Sequence, residues 1–137
     1  MNYLVWTLVA LVAYTFFPPL VSLAAREMPA NVITLVATAM LATGALVVAL
    51  VQEDEILTYL SGSAAPYAYL AGLSLTVGIV AYYRALARGP VSVVTPVFGM
   101  FIVTSSLISI VFLGDSFSLR NGVGIGFAVL AIYLIAG

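Results

Sequence analysis

The side chains in this sequence that could do chemistry are hydroxyls, four amides and four guanidiniums, with five carboxylates confined to the seams between apolar stretches. Along residues 91–113, Thr95, Gly99, Ser106 and Ser109 recur at helical spacing, with Ser92 one turn before Pro96. Along residues 66–87, Ala71, Ser74, Gly78 and Tyr82 form a matching face. Faces of this kind orient a neutral solute through hydroxyls, or let helices pack closely. They do not move protons or attack carbonyl carbon. The chain has no histidine, no cysteine and no carboxylate pair at helical spacing, so no catalytic residue, no metal and no cofactor is expected. Arg84 is the deepest charge and lies four residues before Arg88. Snorkelling to a membrane surface accounts for it, and an anion contact at a pore mouth is the sharper alternative.

These residues need elements to hold them, and the composition specifies which. Hydrophobic residues make up 64% of the 137 residues and charged ones 7%, too few polar groups to clothe a soluble domain of this size. A helix crosses the hydrocarbon core with about 20 apolar residues. Five such spans are expected, at residues 3–25, 31–51, 66–87, 91–113 and 119–136, in a single domain covering residues 1–137. The expected class is all-α, a polytopic transmembrane bundle of five helices with the lipid bilayer as its solvent. The first span follows no basic leader and exceeds a signal-peptide core, so it is read as retained. A net charge of −1 leaves no footprint for nucleic acid.

Charge and helix punctuation sit in the seams. Arg26, Pro29, Arg88 and Pro90 mark two of them, Gln52–Glu55 leads through a polar connection to Ser61–Ser63, and Ser118 is placed to cap the fifth span. The segments beginning at Pro29 and at Pro90 echo one another, as duplication or a shared requirement at a helix start would produce. Tyr14, Phe16 and Phe17 form an aromatic cluster ahead of Pro18-Pro19, a break and hinge candidate. Pro96 removes the hydrogen bond to the Ser92 carbonyl and is expected to kink or loosen the fourth span. Gly122 and Gly126 make a G-x-x-x-G pair suited to helix packing. Arg26, Arg84 and Arg88 fall on one side of the membrane with the C-terminus, against Arg120 on the other. The positive-inside rule makes the C-terminus cytoplasmic, by a margin thin enough for dual topology.

The run Tyr82-Tyr-Arg-Ala-Leu-Ala-Arg-Gly-Pro90-Val-Ser-Val-Val-Thr-Pro96, then Phe112-Leu-Gly-Asp115-Ser-Phe-Ser-Leu-Arg120 and Gly122-x-Gly-x-Gly126, resembles the C-terminal part of an EamA-type repeat of the drug/metabolite transporter superfamily. The chain is similar to the five-span bacterial and archaeal group within it. The resemblance implies one half of an inverted-repeat transporter in the cell (inner) membrane, working as an antiparallel homodimer or with a homologous half. It also implies a substrate cavity lined by the third and fourth spans, here Ser74, Gly78, Tyr82, Ser92, Thr95, Pro96, Gly99 and Ser106. Asp115 stands where the family usually has Glu, and Ile102 lies near where many members carry a second proline. With no charge at the centre of any span, the expected cargo is a small neutral or zwitterionic metabolite, moved by alternating access and in the direction of export. A lipid-linked sugar flippase subunit and a non-transporting membrane scaffold are the rival classes.

Overall fold

The computed structural model describes residues 3–114 and 116–136; Asp115 lies outside the described residues. The described chain is all helical: α1 (Tyr3–Ala24), α2 (Ala30–Val51), α3 (Ile56–Leu60), α4 (Ala65–Leu86), α5 (Val91–Ile108) continuing as a π-helical turn (Ser109–Leu113), and α6 (Leu119–Ala136). Four helices are long and apolar enough to cross a bilayer: α1, α2, α4 and the continuous stretch Val91–Leu113. The protein is therefore a multi-pass membrane protein. The fifth expected span is the 18-residue α6, about 27 Å at the helical rise against about 30 Å of hydrocarbon, and so shorter than the other four.

Two compact units make up the chain, residues 1–87 and residues 88–137. In the first unit α4 packs against both α2 and α1. Its packed core gathers at one end: Pro18 and Val21 on α1, Ile33 on α2, and Tyr82, Tyr83 and Leu86 on α4 are all buried. Phe17 is the hub. Its ring stacks on Tyr82 at 6.2 Å centroid separation and meets Tyr83 edge-on at 5.5 Å, and Tyr14 tilts against it at 5.8 Å. Aromatic pairs at such separations add to the area that they bury. Phe17 thus packs between helices, while Phe16 and Tyr14 stay exposed.

α1 runs unbroken through Pro18 and Pro19 to Ala24, so the break expected there is absent. Each proline removes one backbone hydrogen bond. Pro18 is buried in the core.

Both even-numbered spans start alike. Pro29 (φ −60°, ψ 140°) and Pro90 (φ −68°, ψ 137°) are extended N-cap residues of α2 and α5. The Pro29 carbonyl accepts from Val32 and Ile33, and that of Pro90 from Val93 and Val94. The two prolines sit one position earlier than the first helical residue, where proline is usual. A common way of starting a helix accounts for the sequence echo.

The polar connection after α2 holds more structure than its sequence advertises. Glu53 adopts the left-handed conformation (φ 58°). Its N–H donates to the Leu50 carbonyl and the Asp54 N–H to that of Ala49, the pairing of a Schellman cap. A short helix, α3, follows; Leu57 and Tyr59 on it are exposed, and the Tyr69 hydroxyl donates to the Leu60 carbonyl at 2.6 Å. The sequence reading missed α3 because one helical turn is too short to show a period.

Hydroxyls within the spans are mostly turned onto their own helix. Thr7, Thr15, Thr34, Thr38, Thr43 and Thr76 each donate to the carbonyl four residues back. In lipid this satisfies the donor without water.

In the second unit α5 packs against α6. α5 stays helical through Pro96, and its departure from α-geometry comes later, in the π turn. Gly114 closes that turn at φ 75°, ψ 23°, a left-handed conformation that favours glycine. Ser118 caps α6 as expected, its hydroxyl accepting from the Asn121 N–H at 3.1 Å.

Candidate functional site

The candidate residues fall on α4 and α5. Ser74, Gly78 and Tyr82 are four apart on one face of α4, and burial increases along them from exposed Ser74 through half-buried Gly78 to Tyr82, 5% exposed. Tyr82 is the inner end of that face, fixed by its stack on Phe17. On α5, Ser92 is exposed, and Thr95, Pro96, Gly99 and Ser106 are half-buried. A Cβ added at Gly78 or Gly99 would meet nothing within 4 Å. The subunit therefore leaves open space beside both glycines, where close packing would have filled it.

Arg84 is exposed on the last turn of α4 and donates from Nη2 to Asn31 Oδ1 at 3.4 Å. At that length the bond is weak. It nonetheless links α4 to the start of α2 and leaves most of the guanidinium's donors outward. Arg88 does not continue this face. α4 ends at Leu86 with Ala87 as its cap, so Arg88 lies in the following turn and helical i, i+4 geometry no longer applies to the pair.

A cleft of about 760 Å³ lies between the second half of α5 and the first half of α6. Ser109, Ser116 and Asn121 line it nearest the link between the helices. Ser105, Ser106, Gly124 and Ile125 come next, and Ile102, Val103 and Ala128 lie farthest in. From Asn121 to Ala128 is about 10 Å along the helix. The hydroxyls of Ser105 and Ser106 both donate to the Ile102 carbonyl, at 3.1 and 2.7 Å. Two side-chain bonds on one carbonyl loosen the helix locally, and the π turn begins three residues after Ser106.

Of the expected cavity residues, Ser106 alone lines this cleft. Ser105, Ser116 and Asn121 were missed. Asn121 had a legible signal, an amide in the first turn of an otherwise apolar span, and Ser105 none beyond its neighbour. Val103, between Gly99 and Ser106 in sequence, is buried at 6% exposed. It follows Gly99 by four and precedes Ser106 by three, which places it on the same face of α5 as both.

Gly122 does accept a close neighbour, though not another helix. A Cβ there would stand 2.6 Å from the tip of the Phe117 ring, and at Gly126 it would meet nothing within 4 Å.

The model of the EamA-like transporter family matches residues 1–137, the full length of the sequence. The chain belongs to the EamA-like transporter family. No curated protein and no solved structure matches it. Membership makes this EamA-like protein a membrane transporter and not an enzyme. It also gives the glycine and serine faces of α4 and α5 a setting in which open space beside a helix has a use.

Proposed function

We propose that this EamA-like protein exports a small neutral or zwitterionic metabolite by alternating access, with residues 1–137 acting as one transporter domain and α6 as its fifth span. Two copies in opposite orientation, or one copy and a homologous half, would enclose the pathway. The faces of α4 and α5 would line it, Ser74, Ser92, Thr95 and Ser106 orienting the solute and Gly78 and Gly99 leaving it room. The observation that carries this reading is the open space beside Gly78 and Gly99 in a family-matched transporter. Open glycine faces also weigh against a tightly packed scaffold, where a Cβ would meet neighbours. All four arginines lie in the seams or within about a turn of a helix end, so the pathway offers no fixed charge to hold an ion and favours net-neutral cargo.

The test is counterflow in proteoliposomes loaded with a mixture of neutral and zwitterionic metabolites, read by mass spectrometry. With cationic metabolites included in the same mixture, selective loss of a few neutral or zwitterionic compounds, abolished by Gly99→Leu in a folded protein, is the expected result. Loss confined to the cations, or no loss beyond empty liposomes, contradicts it.

A further inference from the structure

We propose that the cleft between α5 and α6 is a binding site for a membrane amphiphile with an uncharged, hydroxyl-rich head group and a hydrocarbon chain. This site shares Ser106 with the α5 face assigned to transport, but its test reads labelling and not transport, so the failure of one reading is distinguishable from the failure of the other.

Three observations carry it. The first is polarity along the cleft. Near the link between the helices the lining is Ser109, Ser116 and Asn121 with one apolar neighbour, Ile110, and some 10 Å farther along it is wholly apolar, Ile102, Val103 and Ala128. The link follows the end of a stretch long enough to cross the bilayer, so the polar end of the cleft lies toward the membrane surface and the apolar end toward its interior. An amphiphile in the bilayer has the same gradient. A fully polar solute would leave the deep end unused, and a hydrocarbon would leave the polar end unused.

The second is the hydrogen-bonding sense. A serine hydroxyl has one proton, and those of Ser105 and Ser106 are committed to the Ile102 carbonyl. Toward the cleft these two groups accept only. Acceptors recognise donors, so these two positions favour a ligand that presents O–H groups, as a glycerol or sugar head does, while the Asn121 amide can both donate to such a hydroxyl and accept from it. The third is charge: among the described residues none that lines the cleft is Asp, Glu, Lys or Arg, so none of them neutralises an ionic head.

The experiment is photolabelling of the full chain in nanodiscs containing a monoacylglycerol with a diazirine near the end of its acyl chain, followed by peptide mapping. Label should concentrate on Ile102, Ile125 and Ala128. Excess monooleoylglycerol should displace it, and excess anionic lysophosphatidylglycerol should not. Gly124→Leu, at a position where a Cβ meets nothing within 4 Å, should fold and fill the cleft. It should lower labelling by about tenfold, the scale of losing a few contacts and about one net hydrogen bond. Ser106→Ala should lower it several-fold with the fold intact, and decides the matter if Gly124→Leu does not fold. Label spread evenly over the lipid-facing helices, equal displacement by the anionic lysolipid, or labelling unchanged in Ser106→Ala would each overturn the proposal.

Discussion

Glu53 is the residue whose conformation costs most for its type. It sits at φ 58° where glycine normally closes a Schellman cap, and the left-handed region costs a residue with a Cβ about 1–2 kcal/mol. Glu53→Gly should therefore stabilise the protein, by up to about 1 kcal/mol after glycine's own entropic cost, read as a raised unfolding midpoint in detergent. At Gly99 and Ser106 the question is function. Leu at either position should block transport while the protein stays folded, because the space beside Gly99 is open. Overpacking of a filled core would instead cost about 1–3 kcal/mol. Val97, exposed on the same helix, supplies the control: Val97→Leu should change neither transport nor stability. Val103 cannot serve, since it is buried. The spacing Gly99, Val103, Ser106 showed this in the sequence, but hydrophobicity alone does not distinguish a side chain facing lipid from one facing another helix. In a bilayer both environments are apolar.

Among the elements, the four long helices were legible because twenty apolar residues have one meaning in a bilayer, and each observed end falls within a residue or so of expectation. What the sequence hid were the irregularities. Proline is visible in a sequence, and so Pro18-Pro19 and Pro96 drew attention. Yet α1 continues through the first pair, and the π turn lies at Ser109–Leu113, just after two serines that share one carbonyl. No single residue type announces that arrangement. Pro96 remains the mechanical element that the transport reading requires. Pro96→Ala would restore the hydrogen bond to the Ser92 carbonyl, so the protein should keep or gain heat stability while its counterflow falls severalfold or more. Normal counterflow with increased stability would make the proline incidental to transport.

At the scale of the whole molecule, little is buried. Large side chains such as Leu57, Phe112 and Leu119 are more than four-fifths exposed, which lipid and a second half-transporter together would cover. The candidate site was legible only in part for the same reason. Composition and spacing showed which faces are small and hydroxylated, but not which of them meet space, and the α5–α6 cleft appears only when both helices are placed. Three arginines against one give a weak orientation bias, which the proposed antiparallel pair would require. Adding two or three lysines to the 53–63 connection should then fix one orientation and reduce transport, with recovery on co-expression of an oppositely biased copy.

The antiparallel arrangement can be read most directly by placing one cysteine, Ser63→Cys, in a chain that has none of its own, and treating sealed, right-side-out vesicles with a membrane-impermeant thiol reagent before and after permeabilisation. The account predicts that roughly half of the copies react before permeabilisation and the rest only afterwards, as equal insertion in two orientations requires. Reaction of every copy from a single side, in a protein that transports without any homologous partner, would contradict it.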